Sequence, residues 1–117
     1  METDAPPTIV SLPQLAEKHL DEAAQSSSGR SSYPLHRDQL DKLRQLMLAM
    51  RAGESLSDHE NPGEATVYVV RGRVRLTTAS ESYEATKGES IVVPYERHGL
   101  DAIEDSAVVL TLISRPM

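Results

Sequence analysis

The side chains of this sequence that can do nucleophilic, acid–base or metal chemistry are oxygen and nitrogen groups only. Cysteine is absent, which removes thiol nucleophiles, disulfides and thiolate metal sites together. Oxygen and imidazole chemistry remain, with imidazoles at His19, His36, His59 and His98. His19 borders the apolar face of a helical pattern and reads as a surface residue, and His36 reads as a loop residue. His59 sits in the run DHENPGE, a turn setting in which an imidazole commonly bonds the local backbone. No serine occupies the strained turn that a Ser–His–Asp constellation needs. The six glycines are scattered singly, so no phosphate-cradling loop is present. Arg71, Arg73 and Arg75 alternate as a phosphate or carboxylate clamp would, but the same pattern describes a solvated hairpin face. Only Arg71 shares parity with Val67 and Val69 and so points toward their side of a strand.

The balance of the chain narrows the classes further. At 117 residues it suits one ordinary domain. With 38% hydrophobic and 26% charged residues it has the make-up of a soluble globular protein. Twelve Lys and Arg stand against 18 Asp and Glu, the formal net charge is −6, and tyrosine is the only aromatic residue. A protein that neutralises phosphates and stacks bases needs the opposite, so no nucleic-acid partner is expected. The start METDAPPT has neither the basic opening nor the apolar run of an export signal. No later stretch approaches a membrane span, so the expected compartment is the cytoplasm, with no membrane partner.

The elements that must position these side chains follow from punctuation and period. Residues 1–8 read as a disordered tail broken by Pro6 and Pro7, residues 9–37 as an amino-terminal helix and loop, and residues 38–117 as the main folded unit. Ser11 is a candidate N-cap, and Pro13 fits the first helical turn. Leu12, Leu15, Ala16, His19, Leu20 and Ala23 recur at helical spacing, predicting a helix from Pro13 to about Gln25. The run from Ser26 to Gly29 ends it. Between Asp38 and Arg51 the period again predicts a helix, with Leu40, Leu43, Met47 and Met50 on one face. Beyond Gly53 the pattern is β. Val67 to Val70 and Arg73 to Thr77 flank a turn at Arg71-Gly72, Tyr83 to Thr86 returns, Ile91 to Val93 ends at Pro94, and Ala107 to Ile113 is the longest apolar run. Short strands at close intervals predict an all-β sandwich or barrel.

Two segments carry a family resemblance. His59 to Gly72 reads HENPGEATVYVVRG and Gly88 to His98 reads GESIVVPYERH. Together they resemble the two signature motifs of the cupin superfamily, and the likeness runs from about Gln45 to Ile113. It implies an all-β fold, a cupin-type antiparallel β-barrel (a jelly roll, or double-stranded β-helix) with the amino-terminal α-helix outside it. It also converts the Leu43 to Met50 stretch from helix to strand. Counted back from Gly72, the first-motif ligand positions fall on His59, Asn61 and Ala65, and the second motif contributes His98. Alanine thus stands where a metal-binding cupin has its carboxylate. Glu64, one residue away, faces the other side of a strand.

The site that the resemblance implies has His59, His98 and Asn61 as candidate metal ligands, with Gln45, Val67, Val69 and Tyr95 lining the cavity. Two imidazoles suit a divalent transition metal such as Zn, Ni, Fe or Cu, and without an anionic ligand such an ion is held weakly or not at all. The expected function is a small cupin-domain protein that binds a small molecule in the barrel cavity, with no catalytic residue assigned. One alternative is a metal-dependent dioxygenase or isomerase acting on a small polar metabolite. A second is a non-catalytic interaction protein with a vestigial cavity. The resemblance, together with the exposed strand edges of so small a barrel, predicts a homodimer.

Overall fold

The computed structural model describes residues 8–37, 39–59 and 63–114. Among these residues helix α1 spans Leu12–Gln25, and nine strands follow: β1 Arg30–Pro34, β2 Arg44–Met50, β3 Ser55–His59, β4 Gly63–Arg71, β5 Arg73–Thr78, β6 Ser82–Thr86, β7 Ser90–Val92, β8 His98–Ala102 and β9 Ser106–Ser114. They form two antiparallel sheets, a five-stranded one in the order β1-β2-β9-β4-β7 and a four-stranded one in the order β3-β8-β5-β6. The sheets do not close into a continuous barrel, but their arrangement is that of a jelly roll.

The helix begins as its residue types require. The Ser11 hydroxyl accepts from the Gln14 N–H at 3.3 Å, satisfying one of the unpaired donors of the first turn, and a proline follows inside that turn. Its buried residues are Ala16, His19 and Ala23, and the two alanines let the helix axis approach a sheet closely. The helix packs with Leu35, Met47, Ala49, Val70, Ala107 and Val109 on the outer face of the five-stranded sheet.

The other face of that sheet meets the four-stranded one. Leu48, Met50, Val67, Val69 and Val108 belong to a single cluster with Val74, Leu76, Ala85, Leu100 and Ala102. The molecule is therefore three layers, helix on sheet on sheet, with two apolar seams. Burying a methionine or leucine in either seam contributes about 1.5–3 kcal/mol.

This layering explains the stretch from Leu43 to Met50. Central strand β2 is covered on both faces, so Met47 and Ala49 serve the helix seam while Leu48 and Met50 serve the seam between sheets. A strand buried on both sides has no polar alternation, and a continuous apolar run mimics helical period over seven residues. Strand it is, paired from Arg44↔Leu112 to Met50↔Ser106 along β9.

Three elements depart from the sequence reading. The serine-rich loop contains β1, an edge strand paired to β2 from Arg30↔Met50 to Pro34↔Leu46. As an edge strand it needs little apolar alternation. Strands β3 and β8 also carry weak signals, and β8 holds its place through pairing on both sides, with β3 and with β5. His19 is 4% exposed rather than on the surface. Because β1 runs beneath the helix, the His19 Nδ1 lies 2.8 Å from the Ser31 hydroxyl, and its ring packs at 5.3 Å from that of Tyr33.

The β4–β5 turn shows why glycine stands at position 72. Its φ is +88°, and a Cβ there would collide with the Ser106 hydroxyl and the Asp105 carbonyl. Ser106 is 1% exposed, and its hydroxyl accepts from the Arg73 N–H at 3.0 Å and donates to the Glu104 carbonyl at 2.7 Å.

Candidate functional site

His98 is the one histidine of the sequence motifs whose side chain falls among the described residues. It opens β8, where it shares strand parity with Leu100 and Ala102 of the intersheet cluster, and it is 5% exposed. Its Nδ1 lies 3.0 Å from the Glu96 carbonyl. A carbonyl can only accept, so Nδ1 carries the proton in this bond. Thr78 of β5 stands directly opposite on one side, but its hydroxyl is engaged with the turn at Ser80 and Glu81.

On the other side of His98 stands His59. Strand β3 pairs Ser55↔Asp101 and Leu56↔Leu100, which by simple counting would set Asp58 against His98. A register shift between Leu56 and His59 instead aligns the His59 backbone with that of His98. Asn61 and the side chain of His59 lie outside the described part of the structure.

Val67 and Val69 point between the sheets, 2% and 0% exposed, packed inside the core cluster. Ala65 shares their parity and is half-buried against the same cluster. Glu64 is exposed and pairs with Ile113 on the alternate parity, so its carboxylate is turned to the outer face. Tyr95 follows Pro94 in a bend and is 57% exposed.

Gln45 requires a correction. It shares parity with Met47 and Ala49, on the helix side of the sheet, and its Nε2 donates to the Thr111 hydroxyl at 3.1 Å. It borders the groove formed by Thr8, Val10, Leu12, Leu35 and Val109, not the space between the sheets. The reason is the two-sided burial of β2, which makes its inner and outer faces equally apolar in the sequence.

Arg71 is also turned away. The pairing of β4 with β9 slips between Val69↔Val108 and Arg71↔Ala107, and this irregularity breaks the parity that would have carried Arg71 inward. Arg73 and Arg75 lie on the exposed face of β5, where each contacts the Glu84 carboxylate of β6 at 2.9 Å. The Arg75 and Arg73 guanidinium hydrogen bonds hold that carboxyl below the usual range. The arginine alternation is thus a solvated, ion-paired face.

These positions test the fit of a metal. Among the described residues no three His, Cys, Asp or Glu side chains converge on one point. His98 offers one imidazole, alanine occupies the carboxylate position, and the neighbouring Glu64 is on the wrong face. The described donor set does not fit a three-ligand metal centre.

A second feature of the intersheet space escaped the sequence reading. Leu46, Leu56 and Leu110 belong to the inner side yet are only half-buried. With Leu48, Ser28, Arg30, Ser31 and Ser32 they line an open groove of about 350 Å³ between the free edges of β1 and β3. The Arg30 Nη1 donates across this opening to the Ser55 carbonyl at 3.2 Å. Its signal was the inward triplet Leu46, Leu48 and Met50, which is invisible until β2 is known to be a strand.

Comparison with known proteins agrees with this architecture. The cupin-domain family profile matches residues 46–114. A conserved protein of unknown function from Streptococcus pyogenes superposes with a TM-score of 0.72 at 21% identity, over 100% of this chain and 93% of its own. A cupin superfamily protein from Desulfitobacterium hafniense gives 0.72 at 16% identity, over 98% and 100%. A salicylate 1,2-dioxygenase from Pseudaminobacter salicylatoxidans gives 0.75 at 18% identity, over 95% of this chain but 36% of that one. At these identities the likeness is one of fold. No curated protein sequence matches. With two antiparallel sheets in jelly-roll order, Gly72 fixed in its turn, and the family profile covering more than half of its length, the chain belongs to the cupin superfamily.

Proposed function

We propose that this cupin binds a small molecule between its two sheets, at the end marked by His98. The observation that carries the reading is the β3–β8 register, which aligns the backbones of His59 and His98 beside the half-buried Leu56. An apolar space with one or two imidazoles at its edge suits a ligand of mixed polarity, held by burial and oriented by polar contact at that edge. The test is a thermal-shift screen of metabolites on the intact protein, repeated on His59→Ala plus His98→Ala. The expected result is a set of hits that stabilise the native protein and lose that effect in the double variant. Hits unaffected by the double variant, or no hits at all, overturn the reading.

A metal-dependent activity is the second reading, favoured by the same pairing of two histidines. Two imidazoles would hold a Zn, Ni, Fe or Cu ion only with further ligands from water, substrate or the segment that includes Asn61. Stoichiometric metal in tag-free protein, lost in the same double variant, supports it; protein that takes up no metal from a chelator-free buffer overturns it. No helix among the described residues is long and apolar enough to cross a membrane, and the cytoplasm is the proposed setting.

A homodimer completes the proposal. Tyr68, Val92 and Ile113 of the five-stranded sheet are 39%, 77% and 41% exposed, and a second copy would cover such apolar surface. Sedimentation is expected to give a dimer at micromolar concentration, and a monomer there overturns this part.

A further inference from the structure

We infer that the groove between the edges of β1 and β3 is a site for a monocarboxylate with an apolar body. The inference rests on the reading of small-molecule binding between the sheets and names the chemical class. Its warrant is the pairing of two features at one opening. The first is apolar surface that the fold leaves unfilled. Leu46, Leu56 and Leu110 share inward parity with buried Leu48, Leu100 and Val108, yet they stay half-buried because β1 is short and the sheets do not close over them. The space of about 350 Å³ is at the lower end of the range for small-molecule sites, roughly 300–1,000 Å³.

The second feature is the charge at its rim. Arg30 shares the inner parity of β1, since it pairs with Met50 of β2. It makes no ion pair among the described residues, in contrast to Arg73 and Arg75, which both contact Glu84. One of its nitrogens donates to the Ser55 carbonyl, which steadies the guanidinium over the opening. The fork geometry of arginine matches a carboxylate, and Ser32, which pairs with Leu48, shares the inner parity of Arg30 along the same border. In a chain of net charge −6, one arginine without an ion pair beside half-buried leucines selects an anionic head on an apolar tail. A cation is repelled there, and an uncharged chain loses the charge-assisted bond.

The experiment uses the full chain with methyl-labelled leucine and follows NMR shifts on titration with butanoate, hexanoate, octanoate, octanol and octylammonium. Octanoate is expected to shift the Leu46, Leu48, Leu56 and Leu110 methyls saturably. Affinity should rise about threefold to fourfold for each methylene buried from butanoate upward. Octanol should bind about tenfold more weakly, and octylammonium should leave these methyls unmoved. Arg30→Gln should reduce octanoate to the level of octanol without changing octanol itself, while Arg30→Lys should keep part of the preference. Arg30 is exposed, so neither change threatens the fold, and an unchanged methyl spectrum without ligand verifies this. Equal binding of octanoate and octanol, insensitivity to Arg30→Gln, or failure to saturate at several millimolar overturns the inference. If octanoate fails while screen hits still depend on the two histidines, the carboxylate assignment falls and the small-molecule reading stands. If both fail, both fall.

Discussion

His59 and His98 lie opposite each other on neighbouring antiparallel strands, aligned by a one-residue slip that begins after Leu56 pairs with Leu100. Without that slip Asp58 would hold the place. On the His98 side the imidazole is anchored through Nδ1 to the Glu96 carbonyl, which sets the ring. Replacing His98 with Ala should lower stability by about 1–3 kcal/mol, from lost packing and a lost hydrogen bond at a buried site. Urea denaturation measures it, and a cost below about half a kilocalorie per mole would show that the imidazole is not anchored as described.

The two seams make distinct demands on strand β2. Met47 and Met50 are both fully buried, but Met47 packs in the helix seam and Met50 in the seam between sheets. Each Met→Ala change should cost about 2–5 kcal/mol, and the double variant should lose close to the sum. Denaturant midpoints at constant m-value test this. Strong non-additivity would mean that the seams are not independent.

Gly72 and Gly88 offer a controlled pair. Both have φ near +89°, at +88° and +89°, but a Cβ at 72 meets Ser106 and Asp105 whereas one at 88 meets nothing within 4 Å. Gly88→Ala should cost about 1–2 kcal/mol for the left-handed backbone alone. Gly72→Ala should cost clearly more, because the neighbour is backbone as well as side chain. Equal midpoints for the two variants would contradict the close approach at Ser106.

Acid should weaken the β5–β6 face. The Glu84 carboxyl is held below its ordinary value by hydrogen bonds from Arg75 and Arg73. A depressed folded-state value means that the stabilisation is present above the ordinary carboxylate range and is lost as pH falls through the folded value. Glu84→Gln should therefore reduce stability slightly at pH 7 and flatten the acid limb below about pH 4.5. The effect is small because the pair is solvated. Parallel pH–stability curves for the two proteins would remove this role.

How much of this was legible beforehand depended on whether a signal was local. The helix needed only Ser11, Pro13 and the apolar spacing that follows, and the structure starts it one residue earlier. The β4–β5 hairpin was written in Val67 to Thr77 around Gly72, and Glu64 could be set on the outer face by parity alone. Parity failed at Arg71, where a slip in pairing with β9 is invisible to a count along one strand. It failed at Gln45 because the side of β2 that meets the helix is as apolar as the side that meets the other sheet.

The sequence by itself determined the chemistry available, imidazole without thiol and alanine in place of a carboxylate, and through its motif spacing the cupin fold. Only the tertiary structure decided which residues meet. It buried His19 under β1, set His59 level with His98, and left Leu46, Leu56 and Leu110 open beside Arg30. Those outcomes depend on register between distant strands and on which layer covers which face. Both are set by pairing and burial over the whole domain, and no window along the chain contains them.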